Sequence, residues 1–299
     1  MAHSHVIFGA GLDTARPTVR TIGLNDLRDA LMRGLDDFRA MPSHAVFLCL
    51  IYPIVGFVLY RLAVGYNVLP LLFPLVAGFA LVGPIAALGI YEMSRRREHG
   101  LDVTWRNAID VLRSPSIAAI MALALVLVAT FIVWLAVAQA IYVANFGYQP
   151  AAAMPDFVRQ VLTTPAGWSL IIVGNGVGFL FAVTVLTVSV VSFPLLLDRD
   201  VGAAVAVLTS VRAVLANPLV MAAWGVIVGA LLFVGSIPFF FGLAVVVPVL
   251  GHATWHLYRR MIDPGGAPVN EYHEIAKGRR YAADFPAALF PWGRHDRQP

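Results

Sequence analysis

The stretch AVLANPLVMAAWGVIVGALLFVGSIPFFFGLAVVVPVLGHATWHLY, residues 213–258, holds no Asp, Glu, Lys or Arg over 46 positions. A hydrocarbon layer about 30 Å thick is crossed by about 20 apolar helical residues, so the run is too long for one crossing and long enough for two. The break is Gly235-Ser236-Ile237-Pro238. Glycine frees the backbone there and proline withholds a helical donor. Strands are the poorer reading, because a transmembrane barrel alternates apolar and polar positions and this run is apolar on every side.

Further charge-free runs lie between Arg39 and Arg61, Arg61 and Glu92, Arg113 and Asp156, and Arg159 and Asp198. Cut with the same ruler, the chain predicts an all-α polytopic integral membrane protein. Its six transmembrane helices fall at about 44–62, 68–91, 116–143, 168–197, 218–235 and 237–258. They belong to a membrane domain at 24–262, between a flexible N-terminal arm at 1–23 and a basic flexible tail at 263–299. Of the 299 residues 59% are apolar and 13% charged. Soluble domains hold roughly 45–50% and about 25%, which excludes a water-soluble globule. Residues 1–40 mix acids and arginines without an apolar segment, so no cleavable signal peptide is expected and the first span inserts as its own signal. A single cysteine, Cys49, excludes an intrachain disulfide and a cysteine-based metal cage.

On this cut 19 Lys and Arg residues lie on one side of the membrane, and Arg61 and Arg159 alone on the other. Basic residues stay on the cytoplasmic side, so both termini are expected there. The formal charge of +4 then faces the anionic lipids of the inner leaflet, which makes the bilayer the implied partner. No nucleic acid is needed to explain it. A further membrane protein complex is an expected partner.

The spans repeat. Pro84, Tyr91 and Arg95-Arg96 recur as Pro248, Trp255 and Arg259-Arg260 at one offset of 164, with a shortened version at Phe193-Pro194 to Asp198-Arg199. Met41-Pro42, Ser114-Pro115 and Asn217-Pro218 each open an apolar run, with proline suited to a first helical turn and Ser or Asn to an N-cap. Each entry follows an amphipathic stretch. Leu24, Leu27, Leu31, Leu35 and Phe38 form the first apolar face; Leu101, Trp105, Ala108, Ile109 and Leu112 the second; a weaker third runs over 203–214. The period is helical, so three hairpins are expected, each preceded by a cytoplasmic interfacial helix.

The segments Gly89-Ile90-Tyr91-Glu92-Met93-Ser94-Arg95-Arg96, Ser192 to Arg199 and Pro248 to Arg260 together resemble a proteobacterial inner-membrane family catalogued as a domain of unknown function. The resemblance covers about residues 20–262 and implies six spans and a bacterial inner-membrane location, but no activity. Members often carry the label of cytochrome c oxidase subunit I. A haem–copper core needs six histidines within its spans, and of eight here only His44, His252 and His256 lie in or at them, so the label is rejected.

His252 and His256 share a helical face, and His44 opens the first span on the same side; a metal site from these three would be weakly supported. Their plainer reading is an interfacial belt, in which His252→Ala leaves stability nearly unchanged. Glu92 is read as a helix-end partner of Arg95 and Arg96 in the headgroup layer. Tyr91, Arg95, Arg96, Trp105, Trp255, Arg259 and Arg260 are read as inner-leaflet anchors. Asn175, Gln139, Thr130, Ser189 and Ser192 are candidates for one polar cavity, and Gly174 to Gly178 and Gly225 to Gly229 for close helix packing. Pro70, Pro74, Pro84, Pro194 and Pro248 are read as static kinks. No phosphate loop, nucleophile beside a base, or carboxylate pair within a span appears, so no catalysis and no cofactor is expected. The expected role is a non-catalytic accessory or scaffold component, with a transporter or channel for a neutral or lipophilic solute as the alternative.

Overall fold

The computed structural model describes residues 17–41, 71–148, 154–238 and 240–270, with isolated positions at 54, 57 and 61. The span expected at 44–62, His44, and the tail beyond 270 therefore lie almost wholly outside the described residues.

Three helical stretches among the described residues are long and apolar enough to cross a membrane: Ile117–Phe146, Pro165–Asp198 and Pro218–Ser236. The first is α5 and the last α10; the middle one is α7 (Pro165–Ser189) running into α8 (Ser192–Asp198). Their outer faces are broadly apolar, with Leu125, Ile132, Ile172, Phe179, Leu219, Val226 and Phe233 all exposed. So large an apolar surface suits hydrocarbon, not water. At the expected break, α10 ends at Ser236 and α11 (Leu243–Met261) follows; a Cβ on Gly242 would lie 2.7 Å from the Gly235 carbonyl oxygen.

The region expected as the second span is segmented. Helix α2 (Leu72–Phe79), a 3-10 turn (Ala80–Val82), α3 (Gly83–Ala86) and α4 (Leu88–Glu98) replace a single rod. Pro74 and Pro84 interrupt its hydrogen-bond ladder. The Pro74 carbonyl oxygen finds its donor in the indole N–H of Trp134 on α5, at 2.9 Å.

The amphipathic stretches behave differently from one another. Helix α1 (Leu24–Ala40) buries Leu27, Ala30, Gly34 and Asp37 against α11. A Cβ on Gly34 would fall 2.6 Å from the Ala253 backbone nitrogen, so only glycine admits this crossing. The second stretch is a 3-10 helix (Trp105–Arg113) packed on α4; it turns Trp105, Ile109 and Leu112 outward, and Leu101 just before it is exposed as well. The third is α9 (Ala203–Ala216). Of the glycines expected to mediate close packing, Gly178 lies against Trp134 and Gly225 against Leu186, where a Cβ would fall 3.0 and 3.4 Å away, whereas a Cβ at Gly174, Gly176 or Gly229 would meet nothing within 4 Å. Tighter approaches occur at Gly34, at Gly89 against Ala108, and at Gly251 against Ile90.

The core sits at one end of the helices. Val191, Phe193, Leu195, Leu196, Leu197, Trp224, Trp255, Tyr258 and Met261 are buried there. Two short strands, β1 (Thr18–Val19) and β2 (Ile262–Asp263), pair antiparallel across this end. The segment 262–270 then runs on as a strap, bridging Arg199 through Val269. Both ends of the expected membrane domain therefore need redrawing, since residues 17–23 and 263–270 are tied into it rather than free. Asn217 stands at the N-cap of α10, but its side chain makes no capping bond; its Oδ1 accepts from the Ile22 N–H at 2.8 Å, and its Nδ2 donates to the carbonyl oxygens of Arg20 and Ala213.

Candidate functional site: a buried polar junction

Four helices deliver charge to this end. Asp37 comes from α1; Glu92, Ser94, Arg95, Arg96, Arg97 and Glu98 from α4; Asp198 from α8; and His252, Trp255, His256, Tyr258, Arg259 and Arg260 from α11.

Asp37 is the hub. Its Oδ2 accepts from the Ser94 hydroxyl at 2.7 Å and pairs with His256 Nε2 at 2.8 Å, and its Oδ1 accepts from Arg97 at 2.5 Å. Burial opposes its charge, but the bonds from His256 and Ser94 and the charges around it outweigh burial and hold its carboxyl below the ordinary 3.8. Because Asp37 is therefore an acceptor only, Ser94 donates to it and must accept from His252, whose Nδ1 lies 2.7 Å away. That fixes the His252 tautomer: Nδ1 carries the proton and Nε2 is bare. Nε2 is buried and has no hydrogen-bond partner among the described residues. Ser94 is 1% exposed and held between two partners, not poised at a wall of the cleft described below.

Beside the hub, Glu92 is 0% exposed and accepts from both Arg95 and Arg96. Arg95 also donates to the Asn270 carbonyl oxygen at 3.0 Å, and Arg96 reaches Asp110 on the 3-10 helix at 3.2 Å. The expected pairing of Glu92 is present, but inside the protein and not among headgroups. A third group centres on Asp198, which accepts from the Tyr258 hydroxyl at 2.8 Å and from Arg199 at 3.1 Å. Glu98 accepts from the Trp255 indole and from Arg259, each at 3.0 Å. Arg260 pairs with Asp26 and Asp29 on α1. The strap is locked by the Asn270 side chain, which donates to Ser116 Oγ and to the carbonyl oxygens of Leu196 and Leu197.

Most of the expected anchors are thus internal. Tyr91, Arg95, Arg96 and Trp255 are buried, and Arg259 and Arg260 are half-buried in ion pairs. Trp105 remains on the surface, beneath the Arg106 guanidinium at 5.6 Å. The cause is the packing of α11 against α4 and α1, which turns each basic end toward acids within the protein: Glu92 and Asp110 for Arg95 and Arg96, Glu98 and Asp198 for Arg259, and Asp26 and Asp29 for Arg260.

The expected polar cavity does not assemble. Gln139 and Asn175 are exposed, Thr130 is half-buried, and Ser189 and Ser192 are buried. Asn175, Thr130, Ser189 and Ser192 each donate to the carbonyl oxygen four residues back in the same helix. No group of three or more His, Cys, Asp or Glu suited to a metal occurs among the described residues.

Above the hub opens a cleft of about 480 Å³, lined by Arg33, Asp36, Asp37, Arg97, Glu98, His256, Arg259 and Arg260. Sequence reasoning missed Asp37, Ser94, Arg97, Glu98, Asp198 and Asn270. One signal was present: Asp37 continues the line of Leu27, Ala30 and Gly34 at helical spacing, an acid on a face of small and apolar residues.

Residues 72–198 match a family described as a predicted integral membrane protein (DUF2189). No curated protein and no solved structure matches the chain. With the apolar helices above, the match makes this chain a largely helical membrane protein similar to that family of unknown function. The matched residues run from α2 to α8 and hold Glu92, Ser94, Arg95, Arg96, Arg97 and Asp198. Asp37, His252, His256 and Asn270 lie outside them.

Proposed function

We propose that the protein is a non-catalytic accessory or scaffold component of the bacterial inner membrane, crossing it six times with both termini in the cytoplasm. One observation carries the reading. At the junction Asp37 of α1 is engaged by Ser94 and Arg97 of α4 and His256 of α11, and Asp198 of α8 by Tyr258 and Arg259 of α11, while Glu92 holds the Arg95 and Arg96 of its own helix, which reach Asn270 and Asp110; charge thus ties elements together instead of lining a path for a solute. The transport alternative draws no support from the side chains expected to form its cavity, because they face different surroundings.

Two measurements test this. In the orientation proposed here, cysteines placed singly near either end of a C49S chain resist a membrane-impermeant maleimide added from the periplasmic side. Labelling of either end would overturn that orientation. A native gel of gently extracted membranes is expected to show a discrete complex heavier than the chain's own oligomers. Solute flux through reconstituted vesicles holding the protein alone would overturn the scaffold reading.

A further inference from the structure

The cleft above Asp37 has a surplus of donors. Two of its three acids are occupied: both Asp37 oxygens accept from neighbours, and the two Glu98 oxygens are taken by Arg259 and Trp255. Asp36 is exposed and loosely paired with Arg39 at 3.9 Å. The bases are less occupied. Arg97 uses one of its N–H groups on Asp37, and Arg33 makes no ion pair or hydrogen bond among the described residues. A guanidinium carries five N–H donors in a planar fork that suits the oxygens of a phosphate. Twenty of the 21 basic residues of the chain are arginines, and the one lysine, Lys277, is not among the lining residues. A fork-shaped oxyanion fits this set better than a bare charge does.

We propose that this cleft is a phosphate-binding site, with Arg33 and Arg97 as its principal donors, and that the phosphate is supplied by an anionic lipid headgroup. The lipid source rests on the orientation proposed above; the oxyanion site rests on the cleft alone. Two features set the depth. The wall helix α4 packs against the 3-10 helix Trp105–Arg113, whose Trp105, Ile109 and Leu112 face outward, with Leu101 exposed just before it, as a membrane-surface helix does. The helices α5, α7–α8 and α10 have their Ile117, Asp198 and Pro218 ends at this same junction, where hydrocarbon gives way to headgroups. Asp37 holds Arg97 in place through one guanidinium nitrogen, which leaves its other N–H groups without a partner among the described residues.

The test uses the full-length purified chain in mild detergent. Native mass spectrometry reads retention of added phosphatidylglycerol against phosphatidylcholine, and calorimetry reads binding of inorganic phosphate. The variants are Arg33→Glu and, as control, Arg28→Glu, which makes the same charge change on α1 away from the cleft. Both positions are exposed, so thermal unfolding should match the parent. Arg33→Glu is expected to weaken phosphatidylglycerol retention about tenfold, and Arg28→Glu to stay within about twofold. Equal loss in the two variants, or no preference for phosphatidylglycerol over phosphatidylcholine together with no binding of phosphate, would overturn the site. Phosphate binding that is lost in Arg33→Glu without any lipid preference would uphold the oxyanion site and overturn the lipid source.

Discussion

Asp37 and His252 show how far a residue's meaning depends on what packs over it. In the chain His252 looks like an interfacial polar group and Asp37 passes unnoticed; in the fold both are buried, and Ser94 joins them. The surface reading predicts that His252→Ala changes little. The buried position predicts a loss of about 2 kcal/mol, from a cavity and an unmet Ser94 acceptor, seen as a lowered midpoint in detergent unfolding. Imidazole nitrogen NMR should show His252 protonated at Nδ1 and bare at Nε2, and the opposite tautomer would contradict the hydrogen-bond order assigned here. The pH dependence follows from Asp37. Its folded carboxyl lies below the ordinary 3.8, so its stabilisation is complete above that value and disappears as pH falls through the lower folded one. Asp37→Asn should therefore flatten the acid limb of the stability curve below about pH 4 and lower stability at neutral pH.

At the level of elements, the apolar runs were legible because crossing a membrane is a local property of about 20 consecutive residues. Residues 117–146, 165–198 and 218–236 are apolar helices, and the break after Gly235 falls where Gly and Pro place it. The segmentation of 71–98 was less legible, because whether proline kinks a rod or divides it depends on neighbours such as Trp134. Helix α1 was located by its period, but its face was assigned to lipid; the small residues Ala30 and Gly34 mark a helix crossing instead. Spacing of small residues does not by itself tell a crossing from an open surface. Gly34→Ala should cost about 2 kcal/mol, because its Cβ would press on the Ala253 backbone. Gly174→Ala should be neutral or slightly stabilising, since nothing lies within 4 Å and alanine favours the helix. The two unfolding midpoints, measured side by side, check the assignment.

For the whole molecule, the polar junction was the least legible part, because its bonds join residues far apart in the chain. Asp37 and His256 are 219 positions apart, and Arg20 and Asp263 are 243 apart. No window of sequence contains such a pair. What could be read was the supply of groups: the repeated basic helix ends, and Glu92 three and four residues from its arginines. Their burial could not, since it requires α4, α8 and α11 to meet. The strap offers a test at this scale. Asn270→Ala removes the donors to Ser116, Leu196 and Leu197 and should lower stability by about 2–3 kcal/mol while leaving the helix content by circular dichroism unchanged.

The strap also sets a timetable for biosynthesis. A ribosome releases Asp37 long before His256, and Thr18 and Val19 long before Ile262 and Asp263, their strand partners. Until about residue 270 emerges, the first helix carries an acid without its histidine, and the early and late halves of the newborn polypeptide have nothing to close against. Insertion can proceed segment by segment, but maturation is a single late event, and a chain stopped before that point would present quality-control proteases with an unlatched N-terminal helix.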